Sequence, residues 1–410
     1  MNKTDSAPRK KIIRKRAGEH KRYASGFLYQ QNARYFAQIS EGLIELGAKE
    51  LTELGAKDIE TDQRGIHFTA EKSVFYRINY CTRLASRILA PLVTFACNDD
   101  ETLYRQVKHL RWEQLMSRKQ TFAVSANVSD SAMDHSQFAA LRLKDAVADY
   151  FRERCGKRPN VDPRDPDLLI NLHIRHNRAT VSIDASGGSL HKRGYREESV
   201  AAPMQETVAA AIINMSGWDG TMPIYDPMCG SGTLLCEALM SQCKIPSGVF
   251  RERFGFQQLP DFNPELWGQV KKSADNAIMD IPPGLIRGSD ISEVSVDAAR
   301  TNLMGMHHGN RVTVEQIDFN ALPPIENSII VANPPYGIRL GKDQDLELFH
   351  RQLGDFLKQK CTGSTAYIYF GDPDYIKFMG LKASFRKPIR AGGLDGRLAK
   401  YELYQGPQIK

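Results

Sequence analysis

The sequence predicts an α/β protein in which a doubly wound, mostly parallel sheet follows smaller α+β modules. The 410 residues exceed the roughly 100–200 residues of one ordinary domain, so two or three domains are expected. A composition with 41% hydrophobic and 25% charged residues is enough to bury their cores. After about residue 200, helical segments alternate with short apolar strands, a pattern typical of a doubly wound sheet.

The positive charge of the chain is concentrated at its N-terminus. The net charge is +7, from 55 Lys and Arg against 48 Asp and Glu. Residues 1–22 contain nine of the basic residues and only two acids, so the other 388 residues carry no net charge. A dense basic run with few apolar residues predicts a disordered tail. Such a tail is either simply solvated or an arm that binds a polyphosphate such as RNA.

Composition also excludes several classes of protein. No run approaches the roughly 18 apolar residues of a membrane-spanning helix, and the tail lacks the apolar segment of a secretory signal. A transit peptide is the less favoured interpretation of the tail. The seven cysteines form no Cys-x-x-Cys pair, which predicts free thiols in a reducing cytoplasm and no structural zinc site.

The elements before residue 190 predict a small α+β module with the order β-α-β-β-α-β. Helical spacing predicts helices at Phe36–Leu54, Val74–Leu89 and Phe138–Phe151. Strand patterns are found at Gly65–Thr69 and Phe122–Val128, and at the hairpin pair Leu168–Ile174 and Ala179–Ile183. The predicted parallel strands of the second half are Ile224–Tyr225, Leu285–Ile286, Val312–Val314, Ile329–Ala332 and Ala366–Phe370.

The first chemical motif is the loop Asp226–Thr233, which reads Asp-Pro-Met-Cys-Gly-Ser-Gly-Thr between a strand and an apolar helix. Gly230 and Gly232 allow the backbone to turn tightly and to approach a ligand closely. The loop lacks the Gly-Lys-Ser/Thr of a Walker loop and the third glycine of the dinucleotide fingerprint. Taken alone, it is equally typical of a plain tight turn.

Two acids follow at the ends of later strands. Asp290 could accept hydrogen bonds from both hydroxyls of a ribose, and Asp318 could contact an adenine amino group. Asp290 lies 64 residues after Asp226 rather than the usual 20 or so, so Cys243–Pro283 is predicted to be an insertion. Isolated acids at strand ends are more often helix caps, and that alternative stays open here.

The strongest motif is Asn333-Pro334-Pro335-Tyr336-Gly337, directly after an apolar strand. Two prolines cannot continue a sheet, so they stiffen the backbone at the edge where α/β sheets bind ligands. The carbonyl oxygens of Asn333 and Pro334 could accept both N–H bonds of an exocyclic amino group, and Tyr336 could stack on its ring. The alternative is a rigid Pro-Pro turn with no chemical role.

The glycine loop followed by Asn-Pro-Pro-Tyr resembles the class I S-adenosylmethionine-dependent methyltransferases that modify amino nitrogens. The chain after the tail resembles, more narrowly, the THUMP-containing RNA guanine-N2 methyltransferases, in particular the bacterial enzymes that act on large-subunit rRNA. Further motifs that carry the resemblance are Arg152, Gly156–Asp162, His191–Arg196, Ala202–Pro203, Glu206 and the segment Phe254–Trp267. Ile338 departs from the family, which often has Glu there, so no role is inferred for that acid.

The resemblance implies a Rossmann-like class I methyltransferase domain preceded by ferredoxin-like and THUMP modules. The implied bounds are a tail at 1–22, a ferredoxin-like part at 23–70, a THUMP domain at 71–186 and a methyltransferase domain at 187–410. Some relatives carry a second, fused methyltransferase, which is not expected here because the chain ends at Lys410.

The resemblance also implies the site. The implied catalytic residues are Asn333, Pro334, Pro335 and Tyr336. The implied residues for S-adenosylmethionine are Asp226, Met228, Gly230, Gly232, Thr233, Asp290, Asp318, Pro203 and Glu206. The implied RNA-binding residues, from two basic clusters that could equally be solvated surface, are Lys108, Arg111, Arg152, Lys157 and Arg158.

The expected function is methyl transfer from S-adenosylmethionine to the exocyclic N2 of a guanine in RNA, with 23S rRNA as the expected substrate. Three alternatives stay open at this point. The first is guanine-N2 methylation of tRNA, and the second is methylation of adenine N6 or of glutamine. The third is a catalytically silent RNA-binding or ribosome-assembly factor.

The charge pattern predicts that deleting residues 1–22 weakens RNA binding and flattens its dependence on salt. For every phosphate that the tail neutralises, its deletion should reduce the log–log salt slope by about 0.7–0.9. The measurement is RNA affinity across a salt titration, with a scrambled tail of the same composition as the control. The single-turnover methylation rate at saturating RNA should not change; a fall in that rate would give the tail more than an electrostatic role.

Overall fold

A computed structural model of the protein describes residues 26–198, 204–335, 346–391 and 394–404. The predicted basic tail therefore lies outside the described residues. Within the described ranges no helix is long and apolar enough to cross a membrane. The seven cysteines are all free thiols, as the sequence predicts.

The first half of the chain forms one eight-stranded sheet with the strand order β2-β3-β1-β4-β8-β7-β5-β6. Its strands are β1 Arg34–Gln38, β2 Lys57–Asp62, β3 Gly65–Thr69, β4 Arg87–Ala96, β5 Thr121–Ser129, β6 Asn160–Val161, β7 Leu168–Arg175 and β8 Arg178–Asp184. Its helices are α1 Leu28–Asn32, α2 Ile44–Glu53, α3 Lys72–Cys81, α4 Asp100–Lys108 and α5 Ser136–Cys155. The predicted strands at β3 and β5, the helix at α5 and the antiparallel hairpin β7–β8 are confirmed.

Two helices predicted in this half are wrong in part. The first was predicted from Phe36, but Phe36 lies in β1, where it pairs with His67 of β3 and Leu89 of β4, and the helix begins at Ile44. The second ends at Cys81 instead of continuing to Leu89. Pairing with distant strands overrides the local helical spacing at both places. Pro91 fits within β4 because the pairing register with β8 shifts next to it.

The second half forms a seven-stranded sheet with the strand order β11-β10-β9-β12-β13-β15-β14. Its strands are β9 Ile224–Asp226, β10 Ile286–Asp290, β11 Thr313–Gln316, β12 Ile329–Ala332, β13 Thr365–Phe370, β14 Phe385–Ala391 and β15 Leu394–Glu402. Its helices are α6 Glu206–Ser216, α7 Thr233–Gln242, α8 Pro264–Asp275, α9 Glu293–Met304 and α10 Leu346–Lys360. The five predicted parallel strands are confirmed. The antiparallel pair β14–β15 was not predicted.

The strand order reverses between β9 and β12. The chain runs outward from β9 to β10 and β11, and then returns to place β12 on the other side of β9. A reversal of this kind leaves a crevice at the carboxyl ends of the strands, because the two neighbouring connections leave in opposite directions. This edge of the sheet is where the chemical motifs are expected to meet.

The segment between α7 and β10 packs against the first half of the chain through aromatic side chains. Phe256 is fully buried at the centre of this cluster, with its ring centroid 4.7 Å from Tyr76 and 5.2 Å from Trp267. Trp267 of α8 also contacts the ring of Tyr80 at 5.3 Å. The predicted insertion thus joins the two halves into one continuous core.

A buried ion pair also joins the two halves. The guanidinium Nε of Arg193, in the linker before α6, lies 3.2 Å from Glu237 Oε1 in α7, and both side chains have no exposed surface. Arg193 also donates to the backbone carbonyl of Arg83 at 2.6 Å and to that of Leu190 at 2.7 Å. A buried charge is tolerated only with such partners, so the linker has a fixed position between the halves.

The aromatic cluster predicts that Phe256→Ala destabilises the protein by about 3–5 kcal/mol, because the substitution leaves a cavity in a fully buried site. The matched control is Phe138→Ala, the same chemical change at a side chain that is 52% exposed. That control should change the free energy of unfolding by no more than about 0.5 kcal/mol. Urea denaturation measures both, and equal effects would contradict the assigned role of the cluster.

Candidate active site

The structure brings the predicted chemical residues to one edge of the second sheet. Asp226 is the last residue of β9 and Asp290 is the last residue of β10. Asn333 directly follows β12, and Asp318 lies two residues after β11. Because these strands are parallel, their carboxyl ends meet at the crevice created by the reversal in strand order.

The glycine loop requires its two glycines. Gly230 has a φ of 55° and Gly232 a φ of 79°, a region that residues with a side chain rarely adopt. A Cβ atom on Gly232 would lie 3.1 Å from the Cβ of Ala299 in α9, so the loop is also tightly packed. Gly232 immediately precedes α7, which places the loop at a helix N-terminus, where anionic and polar ligand groups are favoured.

Asp226 shapes this loop from inside the protein. Its side chain is almost completely buried, and its Oδ1 accepts a hydrogen bond from the backbone N–H of Met228 at 3.1 Å. Burial raises the pKa of the Asp226 carboxyl well above its ordinary value; the Met228 hydrogen bond opposes that shift and the charge of Asp290 adds to it. Asp226 therefore holds the backbone of the loop in place.

The side chain of Asp290 is partly exposed at the crevice. Its Oδ2 accepts from the backbone N–H of Gly230 at 2.9 Å, and its Oδ1 accepts from that of Ser292 at 3.0 Å. A carboxylate has about four acceptor positions, so these two bonds leave capacity for the hydroxyls of a ribose. The next residue, Ile291, is 68% exposed and presents apolar surface at the same edge, a feature that the sequence interpretation missed.

The side chain of Asn333 has a buried acceptor to which the described residues offer no hydrogen-bond partner. Its Oδ1 atom has no exposed surface. An unsatisfied buried acceptor costs about 1–3 kcal/mol, so it usually marks a functional group. Pro334 is buried beside it and Pro335 is half-buried. The predicted Tyr336 lies outside the described residues, as does the predicted cofactor residue Pro203.

Asp318 makes a local contact of the kind that sequence reasoning kept as its alternative. Its Oδ1 accepts from the backbone N–H of Asn320 at 2.9 Å and so caps the short 3₁₀ helix Phe319–Ala321. The side chain is half-buried near the same sheet edge. A contact with an adenine amino group stays a prediction.

The structure adds Arg196, whose motif was noted in the sequence but whose role was not. Its guanidinium donates to Glu206 Oε1 at 3.0 Å, to Ser231 Oγ at 3.2 Å and to Thr233 Oγ1 at 3.1 Å. Two residues predicted to bind the cofactor, Glu206 and Thr233, are thus held together by an arginine of the linker.

The predicted RNA-binding residues lie apart from this crevice, on the first half of the chain. Helices α4 and α5 pack against each other, and the Lys108–Glu153 ion pair joins their C-terminal ends. Lys108 is paired with Glu153 and Arg152 with Asp149, each at 2.5 Å, whereas Arg111, Lys157 and Arg158 are exposed. Both ion pairs are partly exposed, and pairs of this kind contribute little stability.

Comparison with protein families accounts for nearly the whole described chain. The model of the RMKL-like methyltransferase domain matches residues 193–400, about half of the protein. The models of the THUMP domain and of the RlmL ferredoxin-like domain match residues 97–184 and 34–89.

The chain belongs to the RMKL-like methyltransferase family. Its ferredoxin-like, THUMP and Rossmann-like methyltransferase domains are as predicted, and the exact bounds at residues 70 and 186 stay predictions. A Synechocystis sp. protein, provisionally named an RNA methyltransferase, is 38% identical over 371 residues, which cover 90% of this chain and 97% of that protein.

Two longer relatives are named ribosomal RNA large subunit methyltransferase K/L. The protein of Syntrophotalea carbinolica is 37% identical and that of Vibrio campbellii is 33% identical, each over 90% of this chain. The chain spans about half the length of these two proteins, 53% of each.

Solved structures share the whole architecture. A structure described as a possible methylase from Clostridium difficile has a TM-score of 0.80 at 26% identity and covers 92% of this chain and 100% of its own. A methyltransferase solved with S-adenosylhomocysteine has a TM-score of 0.78 at 27% identity, covering 92% and 99%. A Listeria monocytogenes protein described as an N6-adenine-specific DNA methylase has a TM-score of 0.78 at 25% identity, covering 92% and 97%. This RMKL-like methyltransferase therefore uses S-adenosylmethionine.

The geometry predicts that Asp290→Ala weakens binding of S-adenosylhomocysteine by about ten- to a hundredfold, since hydrogen bonds to a charged acceptor contribute about 1.5–3 kcal/mol. The matched control is Asp297→Ala, which removes an exposed carboxylate from the adjacent helix α9. Isothermal titration calorimetry measures both affinities. An unchanged dissociation constant for Asp290→Ala would remove this residue from the cofactor site.

Proposed function

We propose that the protein transfers a methyl group from S-adenosylmethionine to the exocyclic N2 of a guanine in RNA, with 23S rRNA as its substrate. The observation that carries this proposal is the buried Asn333 Oδ1, which has no partner among the described residues and lies beside a rigid Pro-Pro segment at the ligand-binding edge. This acceptor suits a planar base with an amino group.

The RNA substrate is supported by the first half of the chain. A THUMP domain is present, and several relatives are named for methylation of large-subunit ribosomal RNA. The first half also offers cations to phosphates near the C-terminal ends of α4 and α5, at Lys108, Arg111, Arg152, Lys157 and Arg158. A tRNA or a ribosome assembly intermediate would meet the same surface, so both remain alternative substrates. The free thiols favour a cytoplasmic location, which is part of the proposal.

The proposed mechanism assigns positioning to the protein. The guanine amino group is a poor nucleophile because its lone pair is delocalised into the ring. When bound, S-adenosylmethionine supplies an electrophilic methyl group on a good leaving group. Asn333 Oδ1 and the carbonyl oxygen of Pro334 accept hydrogen bonds from the two amino N–H groups. These hydrogen bonds direct the nitrogen lone pair toward the methyl group. Methylation leaves an extra proton on the nitrogen; this proton is acidic only at that stage and leaves to Asn333, a carbonyl oxygen or water, so no dedicated base is required before transfer.

The target base must leave its stack to enter the crevice. Bases in structured RNA are reached by extrusion or in a loop, and the protein then contacts the flanking phosphates. We assign the contacts with the flanking phosphates to Lys108, Arg111, Arg152, Lys157 and Arg158. We assign stacking on the target base to Tyr336.

One rival is methylation of adenine N6, because that amino group would fit the same acceptors. The structural similarity to the Listeria monocytogenes protein described as an adenine-specific DNA methylase supports this rival. The THUMP and ferredoxin-like domains favour RNA guanine instead. A catalytically silent RNA-binding factor is less favoured, because the glycines of the loop and Asn333 are all present.

The proposal predicts that rRNA accepts radiolabelled methyl groups and that the labelled nucleoside is N2-methylguanosine. Asn333→Ala should reduce turnover by about a hundredfold, the usual cost of losing one group that stabilises the transition state. Its affinity for S-adenosylhomocysteine should stay within about twofold of wild type. Asn276→Ala, at an exposed position after α8, is the matched control and should be fully active.

The acceptor decides between the candidates. Rates are compared for rRNA, tRNA, DNA and protein, followed by nucleoside analysis. Label in N6-methyladenosine or in glutamine would contradict the proposal, as would wild-type turnover by Asn333→Ala. If only the guanosine of tRNA is labelled, the proposed reaction stands and its substrate is tRNA instead of 23S rRNA.

A further inference from the structure

We propose that Arg196 is a positioning residue that holds the glycine loop in its cofactor-binding conformation. The proposal rests on the cofactor site described above and adds a residue outside it. Arg196 ends the linker motif His191–Arg196, to which the sequence analysis assigned no role in the site.

The contacts of Arg196 converge on the loop and on the start of α6. Besides the bonds to Ser231 and Thr233, its guanidinium donates twice to Glu206 Oε1, at 3.0 and 3.3 Å, and once to the carbonyl of Met204 at 3.3 Å. Only 16% of the Arg196 side chain and 8% of the Glu206 side chain are exposed. A nearly buried guanidinium with so many partners fixes the relative positions of all of them.

The linker is held on the other side by Asn302 of α9. The Asn302 side chain has no exposed surface; its Nδ2 donates to the carbonyls of Ser231 and Glu198, each at 3.0 Å. Its Oδ1 accepts from the backbone N–H groups of Glu197 at 2.9 Å and Glu198 at 3.1 Å. Ser231 is thus bound through its hydroxyl by Arg196 and through its carbonyl by Asn302. The loop residue between the two essential glycines has little freedom to move.

An upstream residue of the linker fixes the position from which Arg196 acts. Arg193 is bound to Glu237, four residues after Thr233 in the same helix α7, and to the backbone of the first half. Both linker arginines therefore bind α7, Arg196 at its first residue and Arg193 one turn later. The conformation of the cofactor loop therefore depends on the position of the linker, which Arg193 fixes between the two halves.

The chemistry of this contact requires arginine. A guanidinium has five donors in a planar fork and can reach four different acceptors at once, whereas an ammonium acts as a point charge on a flexible stem. Lysine at position 196 should keep the ion pair with Glu206 and bind the loop less completely. Arginine, lysine and alanine at position 196 therefore distinguish two roles. If Arg196 acts only through its charge, the lysine variant should bind the cofactor as tightly as wild type. If Arg196 positions the loop, the lysine variant should bind the cofactor less tightly.

Calorimetric binding of S-adenosylhomocysteine and steady-state kinetics test the proposal. Arg196→Ala should raise the dissociation constant at least tenfold and raise the KM for S-adenosylmethionine in parallel, while kcat at saturating cofactor stays within about threefold. Arg196→Lys should give an intermediate dissociation constant. Lys192→Ala, which removes an exposed cation from the same linker, is the matched control and should bind as wild type.

A second variant keeps the test decisive if Arg196→Ala does not fold. Ser231→Ala removes one acceptor on the loop and leaves the Arg196–Glu206 pair intact; it should raise the dissociation constant several-fold. In the double variant the two effects should be less than additive, because both remove the same hydrogen bond. Wild-type affinity in Arg196→Lys and in Ser231→Ala would overturn the proposal, as would a fall in kcat without a change in KM.

The reference for these measurements is Asp290→Ala. If that variant loses affinity and the Arg196 and Ser231 variants do not, the positioning role is wrong and the cofactor site stands. If none of these variants loses affinity, the assignment of the cofactor site itself is wrong.

Discussion

Burial of the linker arginines is the constraint on which the arrangement of this molecule depends. Arg193 is fully buried between the two halves and the Arg196 side chain is only 16% exposed, and a buried guanidinium is stable only when its hydrogen bonds are made to fixed partners. Those partners are Glu237 in α7, the backbone at Arg83, and Glu206, Ser231 and Thr233 around the glycine loop. Satisfying the two charges therefore fixes the position of the first half and the shape of the loop together.

The reversal in strand order brings the chemical residues together at one edge of the second sheet. Asp226, Asp290 and Asn333 are far apart in the chain, yet each follows or ends a parallel strand next to the reversal. The loop between them is stiff because Gly232 is packed against α9 and the backbone N–H groups of Met228 and Gly230 are bound by Asp226 and Asp290. A rigid edge of this kind suits a reaction in which the protein contributes mainly alignment.

Net charge does not distinguish the two halves, since residues 23–190 contain 22 cations and 21 acids. Residues 191–410 contain 24 cations and 25 acids, so the catalytic half has no bulk attraction for RNA. Among the basic residues of α4 and α5, four are paired with acids: Lys108, Arg142, Lys144 and Arg152. The proposed function places the RNA on one half and the cofactor on the other, with the linker between them.

The sequence was sufficient to predict the parallel strands of the second half, the glycine loop and the order of the acids and Asn333, since these depend on local patterns of burial and turn residues. It also predicted the hairpin Leu168–Ile174 and Ala179–Ile183, because alternation is visible within a few residues. The strand positions of Phe36 and Arg87–Ala96 follow from the tertiary structure, because their partners in β3 and β8 are distant in the chain. The roles of Arg193, Arg196 and Asn302 were also decided there, since a buried polar residue is defined by partners that no local pattern reveals.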